Sequence, residues 1–197
     1  MQDAHASAES AADDHPGFWR RVLWMLLPAM ASVVLLAATN HVCQDVAVIP
    51  FMWVVPLSLY LISFIICFDS PQWYDRRVYG LLLLVCCPLA IWILSDGAYA
   101  NIGKQVVIYS SILFVCCMVC HGELVSCRPH EKYLTLFYVL VSAGGAVGGL
   151  FVAMAAPAVF NGYWEYAVGL VAVCVTTLLA WCSQKVCLRR QSPEFWA

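Results

Sequence analysis

RRVLWMLLPAMASVVLLAATNHVCQD, residues 20–45, contains one unit of the pattern that decides the fold of this chain. Two arginines come first, an apolar run of helical length follows, and a polar loop without lysine or arginine ends the stretch. A membrane-spanning helix needs about 20 apolar residues, and cytoplasmic loops carry an excess of lysine and arginine. The stretch therefore predicts a helix that crosses a membrane from the cytoplasmic side to the outer side.

The same unit recurs along the chain with alternating direction. All but one of the ten basic residues lie in four clusters. These are Arg20 and Arg21; Arg76 and Arg77; Arg128 and Lys132; and Lys185, Arg189 and Arg190. The loops between them, 39–45, 96–105 and 161–165, contain Lys104 as their only basic residue. We therefore predict an all-α, polytopic membrane protein, a six-helix transmembrane bundle with both termini cytoplasmic.

The apolar runs also predict the domain layout. We expect a disordered cytoplasmic tail at 1–17, a membrane domain at 18–184 and a short basic cytoplasmic tail at 185–197. Six spans are expected within the membrane domain: 18–38, 46–68, 78–95, 106–126, 134–160 and 164–184. The fifth run is longer than one span needs, which predicts tilt or a break in that helix.

Composition excludes a water-soluble globule. Of the 197 residues, 63% are apolar and 11% charged, whereas soluble domains average about 25% charged residues. The lipid bilayer is therefore the expected surrounding. Nucleic-acid binding is not expected, because it would need a concentrated basic face. Most of the eleven cysteines fall inside predicted spans, which indicates apolar packing rather than disulfides.

Prolines and glycines within the spans indicate special helix geometry. Pro50 and Pro56 make the second span irregular, which is typical either of a broken helix lining a cavity or of ordinary proline tolerance in membrane helices. The fifth span contains two overlapping pairs of glycines at i and i+4. These are Gly144 with Gly148 and Gly145 with Gly149. Such pairs predict close helix–helix packing, whereas a phosphate loop would need a preceding strand.

The fourth span contains the densest chemical sequence, CCMVCHGE at 116–123. Cys117 to His121 spells C-x-x-C-H, the attachment signature of c-type haem, but charge bias places it near the cytoplasm, where haem is not attached. Cys116, Cys117, Cys120 and His121 are candidate ligands for zinc or copper. The alternative is that these cysteines pack as apolar residues. We expect no bound cofactor, with metal or haem as the alternatives.

Two further places carry polar groups that could bind a ligand. Glu123 lies about one turn from the inner end of the fourth span, where it could pair with Arg128 or bind a cation or proton. On the outer side, Asp45 either caps the second span or meets a cationic ligand together with His41 and Gln44. These four residues, Asp45, His41, Gln44 and Glu123, are the candidate ligand-binding set.

Three segments resemble the membrane region of bacterial spermidine synthase-like transmembrane proteins. They are TNHVCQDVAVIPFMWVVPLSLYLISFIICFD (39–69), CCMVCHGEL (116–124) and LTLFYVLVSAGGAVGGLFVAMAAPAVFNGYWEY (134–166). The resemblance implies a multi-pass protein of the bacterial inner membrane, polyamine-related chemistry, and a soluble aminopropyltransferase-type domain after the last span. Residues 185–197 are too few for that domain, so we expect no catalysis from this polypeptide alone.

Three functional hypotheses follow. The first is a non-catalytic membrane module that anchors or associates with a partner protein or a larger membrane complex. The second is a transporter-like homo-oligomer for a cationic small molecule such as a polyamine. The third is metal or haem binding through the Cys/His cluster of the fourth span.

Overall fold

A computed structural model describes residues 17–43, 51–96, 102–155 and 164–191, and within these ranges it contains helices and turns but no strand. The prediction of an all-α protein is therefore confirmed. The described ranges contain six α-helices: α1 (Phe18–His41), α2 (Val54–Asp69), α3 (Arg76–Asp96), α4 (Ile102–Ser126), α5 (Leu134–Leu150) and α6 (Trp164–Gln191). Short 3-10 helices, Pro71–Trp73 and Glu131–Tyr133, precede α3 and α5.

In the part of the chain that the structure describes, three stretches are long and apolar enough to cross a membrane: Phe18–His41, Gly103–Ser126 and Glu131–Met154. Val54–Asp69 and Tyr166–Cys182 are shorter apolar helices. Large apolar side chains remain exposed along α2, α3, α5 and α6. Contiguous apolar surface of this kind is rare on a soluble monomer, and it is compatible with a membrane protein.

The second span was predicted at 46–68, whereas α2 begins at Val54. Pro56 lies in its first turn, where the backbone N–H has no helical partner, so proline is accommodated without loss of a hydrogen bond. The described helix is therefore unbroken as far as Asp69. Pro50 lies outside the described residues.

The fifth helix changes geometry near its end. It is α-helical from Leu134 to Leu150 and continues as a π-helix over Phe151–Ala155. A π turn accommodates an extra residue per turn, so the irregularity expected for this long run takes the form of a wider turn. Residues 156–163, which complete the predicted span, lie outside the described residues.

The helices α1 and α4 form the centre of the bundle. In their most apolar stretches 56% and 61% of residues are buried, against 22% in the stretch that contains α5. All nine consecutive residues 116–124 of α4 are buried, so this part of the helix is enclosed on every side, as is typical of a central position. One cluster of buried side chains joins α1, α3, α4 and α6, and a second joins the start of α1 with the end of α4 and with α5.

Gly144 and Gly148 bring α5 into backbone contact with α1. A β-carbon built on Gly144 would overlap the carbonyl of Met25, and one built on Gly148 would overlap the carbonyl of Ala29. Both glycine and carbonyl positions are four residues apart, so the two helices touch on successive turns. This small-residue face is therefore occupied by a helix of the same chain.

We predict that Gly144→Ala destabilises the protein and that Gly145→Ala does not. The added methyl group at 144 forces α1 and α5 apart, and overpacking of this kind costs about 1–3 kcal/mol. At 145 the nearest atom is Ser32 Oγ at 3.5 Å, an ordinary contact, and alanine favours the helix by about 1 kcal/mol. Thermal unfolding of both variants in detergent measures the difference. Equal unfolding temperatures would contradict the α1–α5 contact.

Candidate functional site

A buried carboxylate near the end of α4 is the most constrained polar group of the described chain. Glu123 has 0% exposure, and a buried ionised carboxylate is tolerated only when it is paired and hydrogen-bonded. Arg76 binds it through two bonds, Nε to Oε1 at 2.7 Å and Nη2 to Oε2 at 2.8 Å. Tyr74 Oη and Trp181 Nε1 each donate to Oε1 at 2.8 Å. We call Tyr74, Arg76, Glu123 and Trp181 the Glu123 cluster.

The cluster joins distant parts of the chain at one point. Arg76 is the first residue of α3 and Tyr74 lies two residues before it, whereas Trp181 lies on α6. The donors are 47 to 58 residues away from Glu123 in sequence. A two-bond arginine–carboxylate pair fixes both direction and distance, so Glu123 sets how α3, α4 and α6 meet.

Two glycines make room for the aromatic donors. A β-carbon on Gly122 would overlap the Tyr74 ring, and one on Gly80 would lie 2.7 Å from the tip of the Trp181 ring. Without side chains at these positions, each ring lies directly on a helix backbone, with its polar atom within reach of Glu123. The glycines therefore position the donors, although they do not contact the carboxylate themselves.

The surroundings of Tyr74 in the cluster favour its neutral form. Arg76 is 37% exposed while Glu123 is fully buried, so the pair extends from the interior towards the surface. Burial raises the pKa of the Tyr74 hydroxyl, and the adjacent Glu123 carboxylate raises that pKa further. Tyr74 therefore stays protonated at neutral pH and donates its hydrogen bond.

The sequence indicates Glu123 as a candidate but does not indicate its partners. Arg76 served there only as an indicator of topology, and pairing with Arg128 was one possibility beside a bound cation or proton. The structure pairs Glu123 with Arg76, and Arg128 is exposed. One signal was available: in consecutive antiparallel helices, the start of the first lies beside the end of the second. Residues 76 and 123 meet this condition for α3 and α4.

His121 occupies a separate position from Glu123, as expected from the different directions in which the two side chains leave the helix. Its Nδ1 lies 3.0 Å from Ser63 Oγ on α2. The rings of Tyr60 and Phe64 approach the imidazole edge-on, with centroids 5.0 and 5.2 Å away. The buried Nε2 has no hydrogen-bond partner among the described residues. His121 thus joins α2 to the central helix.

The predicted metal ligands of α4 pack in the core. Cys116, Cys117 and Cys120 are fully buried. Within residues 17–43, 51–96, 102–155 and 164–191, no three His, Cys, Asp or Glu side chains converge closely enough to hold a metal ion. The described structure therefore gives the metal and haem hypotheses no support.

The outer candidates lie at the opposite end of the bundle from Glu123. His41 Nε2 is 2.7 Å from Tyr109 Oη, and the His41 ring stacks on Tyr166 with centroids 6.3 Å apart. Tyr109 precedes Glu123 by 14 residues on α4, about 21 Å along the helix. One small ligand cannot touch both ends. The other members of the predicted set, Gln44 and Asp45, lie outside the described residues.

No protein-family model matches the chain, and neither a curated protein nor a solved structure has significant similarity to it. The resemblance to spermidine synthase-like proteins accordingly stays a prediction from sequence.

We predict that Arg76→Ala strongly destabilises the bundle, whereas Arg77→Ala has little effect. Removing Arg76 takes away the two-bond ion pair of the buried Glu123 carboxylate, and breaking a buried ion pair costs about 3–5 kcal/mol. The Arg77 side chain is exposed and serves as the matched control. Thermal unfolding in detergent compares the two variants. The double variant Arg76→Ala/Glu123→Gln should recover part of the loss, because a neutral amide is easier to bury. No recovery would contradict the electrostatic role.

Proposed function

We propose that this chain is a non-catalytic, six-span anchoring module of the bacterial inner membrane, which holds its last helix as a rigid attachment for a soluble partner protein. One observation carries the proposal: α6 is continuous over 28 residues, Trp164–Gln191. A helix of that length extends about 42 Å, whereas the hydrocarbon core is about 30 Å thick. Part of α6 therefore projects out of the membrane.

The contacts of Trp181 support projection on the cytoplasmic side. Trp181 donates a hydrogen bond to Glu123. Beyond Trp181, α6 continues for about ten more residues, or about 15 Å. Arg76 lies at this same end of the bundle. At the end of α4 that carries Glu123, Trp24 near the start of α1 donates a hydrogen bond to the carbonyl of Cys127 at 2.9 Å. These contacts agree with an arrangement in which the basic clusters lie at one end of the bundle. The positive-inside rule assigns that end to the cytoplasm.

The Glu123 cluster suits an anchor because it fixes the helix at its point of exit. The carboxylate accepts at least four hydrogen bonds that join α3, α4 and α6. Load applied to the projecting end of α6 would then be shared by the bundle. The resemblance suggests the class of partner, a soluble aminopropyltransferase-type protein with polyamine-related chemistry.

Transport of a cationic small molecule has less support from these contacts. A polyamine that bound Glu123 would have to displace the Arg76 guanidinium and two further donors. Such a ligand would bind the carboxylate less strongly than the groups it displaced, because a flexible ammonium group lacks the two-bond geometry of arginine. We therefore interpret Glu123 as a positioning residue of the bundle and not as a ligand-binding group.

We predict that Cys43 reacts with a membrane-impermeant maleimide in intact cells, and that Cys187 reacts only after permeabilisation. The proposed topology places Cys43, just beyond α1, on the outer side and Cys187 on the cytoplasmic side. Partial burial raises the pKa of the Cys43 thiol, so the labelling is performed at mildly alkaline pH. Cys43→Ala and Cys187→Ala identify each product. Labelling of Cys187 in intact cells would contradict the orientation.

We further predict that Val186→Pro releases the soluble partner while the bundle stays folded. Proline inside a helix removes a hydrogen bond and clashes with the preceding turn, at a cost of about 3 kcal/mol, and position 186 lies beyond the Trp181 contact. Val186→Ala keeps the helix and is the matched control. Both variants are extracted gently from native membranes and analysed by quantitative mass spectrometry of the bound proteins.

The anchoring proposal requires a stoichiometric soluble partner that Val186→Ala retains and Val186→Pro loses. Loss of the partner from both variants, or retention by both, would contradict attachment through α6. A homo-oligomer without any partner would reject anchoring and favour transport, which an uptake assay with a radiolabelled polyamine would then test.

A further inference from the structure

The helices α3 and α6 are antiparallel neighbours that touch in a regular register. Gly80 contacts the Trp181 ring, and seven residues further along α3 the Sγ atom of Cys87 lies 3.6 Å from Sγ of Cys174. Cys174 precedes Trp181 by the same seven residues, about two helical turns. The two contacts therefore belong to one seam, and the thiol pair is a fixed feature of how these helices pack.

The thiol pair lies deep in the proposed membrane domain. Cys174 follows the first residue of α6, Trp164, by ten residues, which is about 15 Å along the helix and half of a hydrocarbon core about 30 Å thick. Both cysteine side chains are half-buried, so each is partly open at the lipid-facing surface of the bundle. Water-soluble thiols such as glutathione are charged and do not enter this layer.

We propose that Cys87 and Cys174 form an oxidation site, at which a lipid-soluble two-electron oxidant of the quinone class converts the two thiols into an intramolecular disulfide. The two S–H bonds break and one S–S bond forms. The two electrons and two protons released reduce the quinone to the quinol, so that atoms and charge balance. This inference is independent of the proposed anchoring function.

The geometry requires only a small movement. A disulfide has an S–S length of about 2.05 Å, so the two sulfur atoms must approach each other by about 1.5 Å. Because both sulfurs move when χ1 rotates, each needs to travel less than 1 Å. Cys86 is adjacent to Cys87 in sequence but leaves α3 in a direction about 100° away. Cys86 therefore serves as a matched control, because a nonspecific oxidation would affect Cys86 and Cys87 alike, whereas the proposed reaction needs only Cys87.

The product would covalently link α3 to α6 two turns from the Glu123 cluster. In the reduced protein, the contact of Gly80 with the Trp181 ring joins α3 to α6, and the hydrogen bond from Trp181 to Glu123 joins α6 to α4. In the oxidised protein, α3 and α6 could no longer separate in the middle of the bilayer. We therefore expect oxidation to raise the unfolding temperature of the detergent-solubilised protein.

The test uses the full chain in native membranes, treated with a short-chain ubiquinone, with iodine as a chemical oxidant, or with neither. After denaturation, free thiols are counted with a maleimide–polyethylene glycol reagent, and disulfide-linked peptides are identified by mass spectrometry. Both oxidants should remove two reactive thiols of the eleven in wild type and yield the Cys87–Cys174 peptide pair. Cys86→Ala should behave like wild type, whereas Cys87→Ala and Cys174→Ala should lose the product.

Three results would overturn the proposal. Absence of the linked peptide pair with either oxidant would reject the thiol geometry. Formation with iodine but not with the quinone would reject the site as a target of the quinone class. A product that persists in Cys87→Ala, or that links two chains, would assign the chemistry to other cysteines. The Cys86→Ala control shows whether a loss of product reflects misfolding of a cysteine-to-alanine variant.

Discussion

The constraint on which the rest of the structure depends is that the buried carboxylate of Glu123 must be matched by donors. A carboxylate removed from water loses several kcal/mol of solvation, and this bundle compensates with an arginine, a tyrosine and a tryptophan from different segments. Each donor requires its own local condition. Arg76 must begin α3, and the aromatic rings need the bare backbones of Gly122 and Gly80. Helix boundaries, glycine positions and helix neighbours are thus coupled through one side chain.

The arrangement also explains why the central helix tolerates polar residues. His121 and Glu123 are both fully buried on α4, yet they point to different sides. Glu123 meets α3 and α6, whereas His121 meets α2 through Ser63. Cysteines precede these two residues on the helix at positions 116, 117 and 120, and as small, polarisable side chains they fill a close-packed interior without demanding hydrogen bonds. The polar residues of α4 therefore specify which helix lies on which side.

Sequence alone predicted the features that depend on local pattern. Helical content follows from uninterrupted apolar runs, and the Gly144/Gly148 spacing indicated a close helix contact because two small residues four apart leave a groove on one face. The effect of Pro56 stayed open in the sequence, because it depends on where α2 begins, and that start is not encoded in the proline itself. The partners of Glu123 were missed because 47 to 58 residues separate them, and a donor for a buried charge is chosen by tertiary packing.

The contact between α1 and α5 has a consequence for biosynthesis. The carbonyls of Met25 and Ala29 lie against Gly144 and Gly148, so α1 reaches its final environment only after nearly 120 further residues have been made. At about 5–20 residues per second, that interval is roughly 6–24 s. During this time the face of α1 that later contacts α5 must be covered by other molecules. The helix α1 precedes the other described helices in the chain, yet it is among the last of them to be fully enclosed.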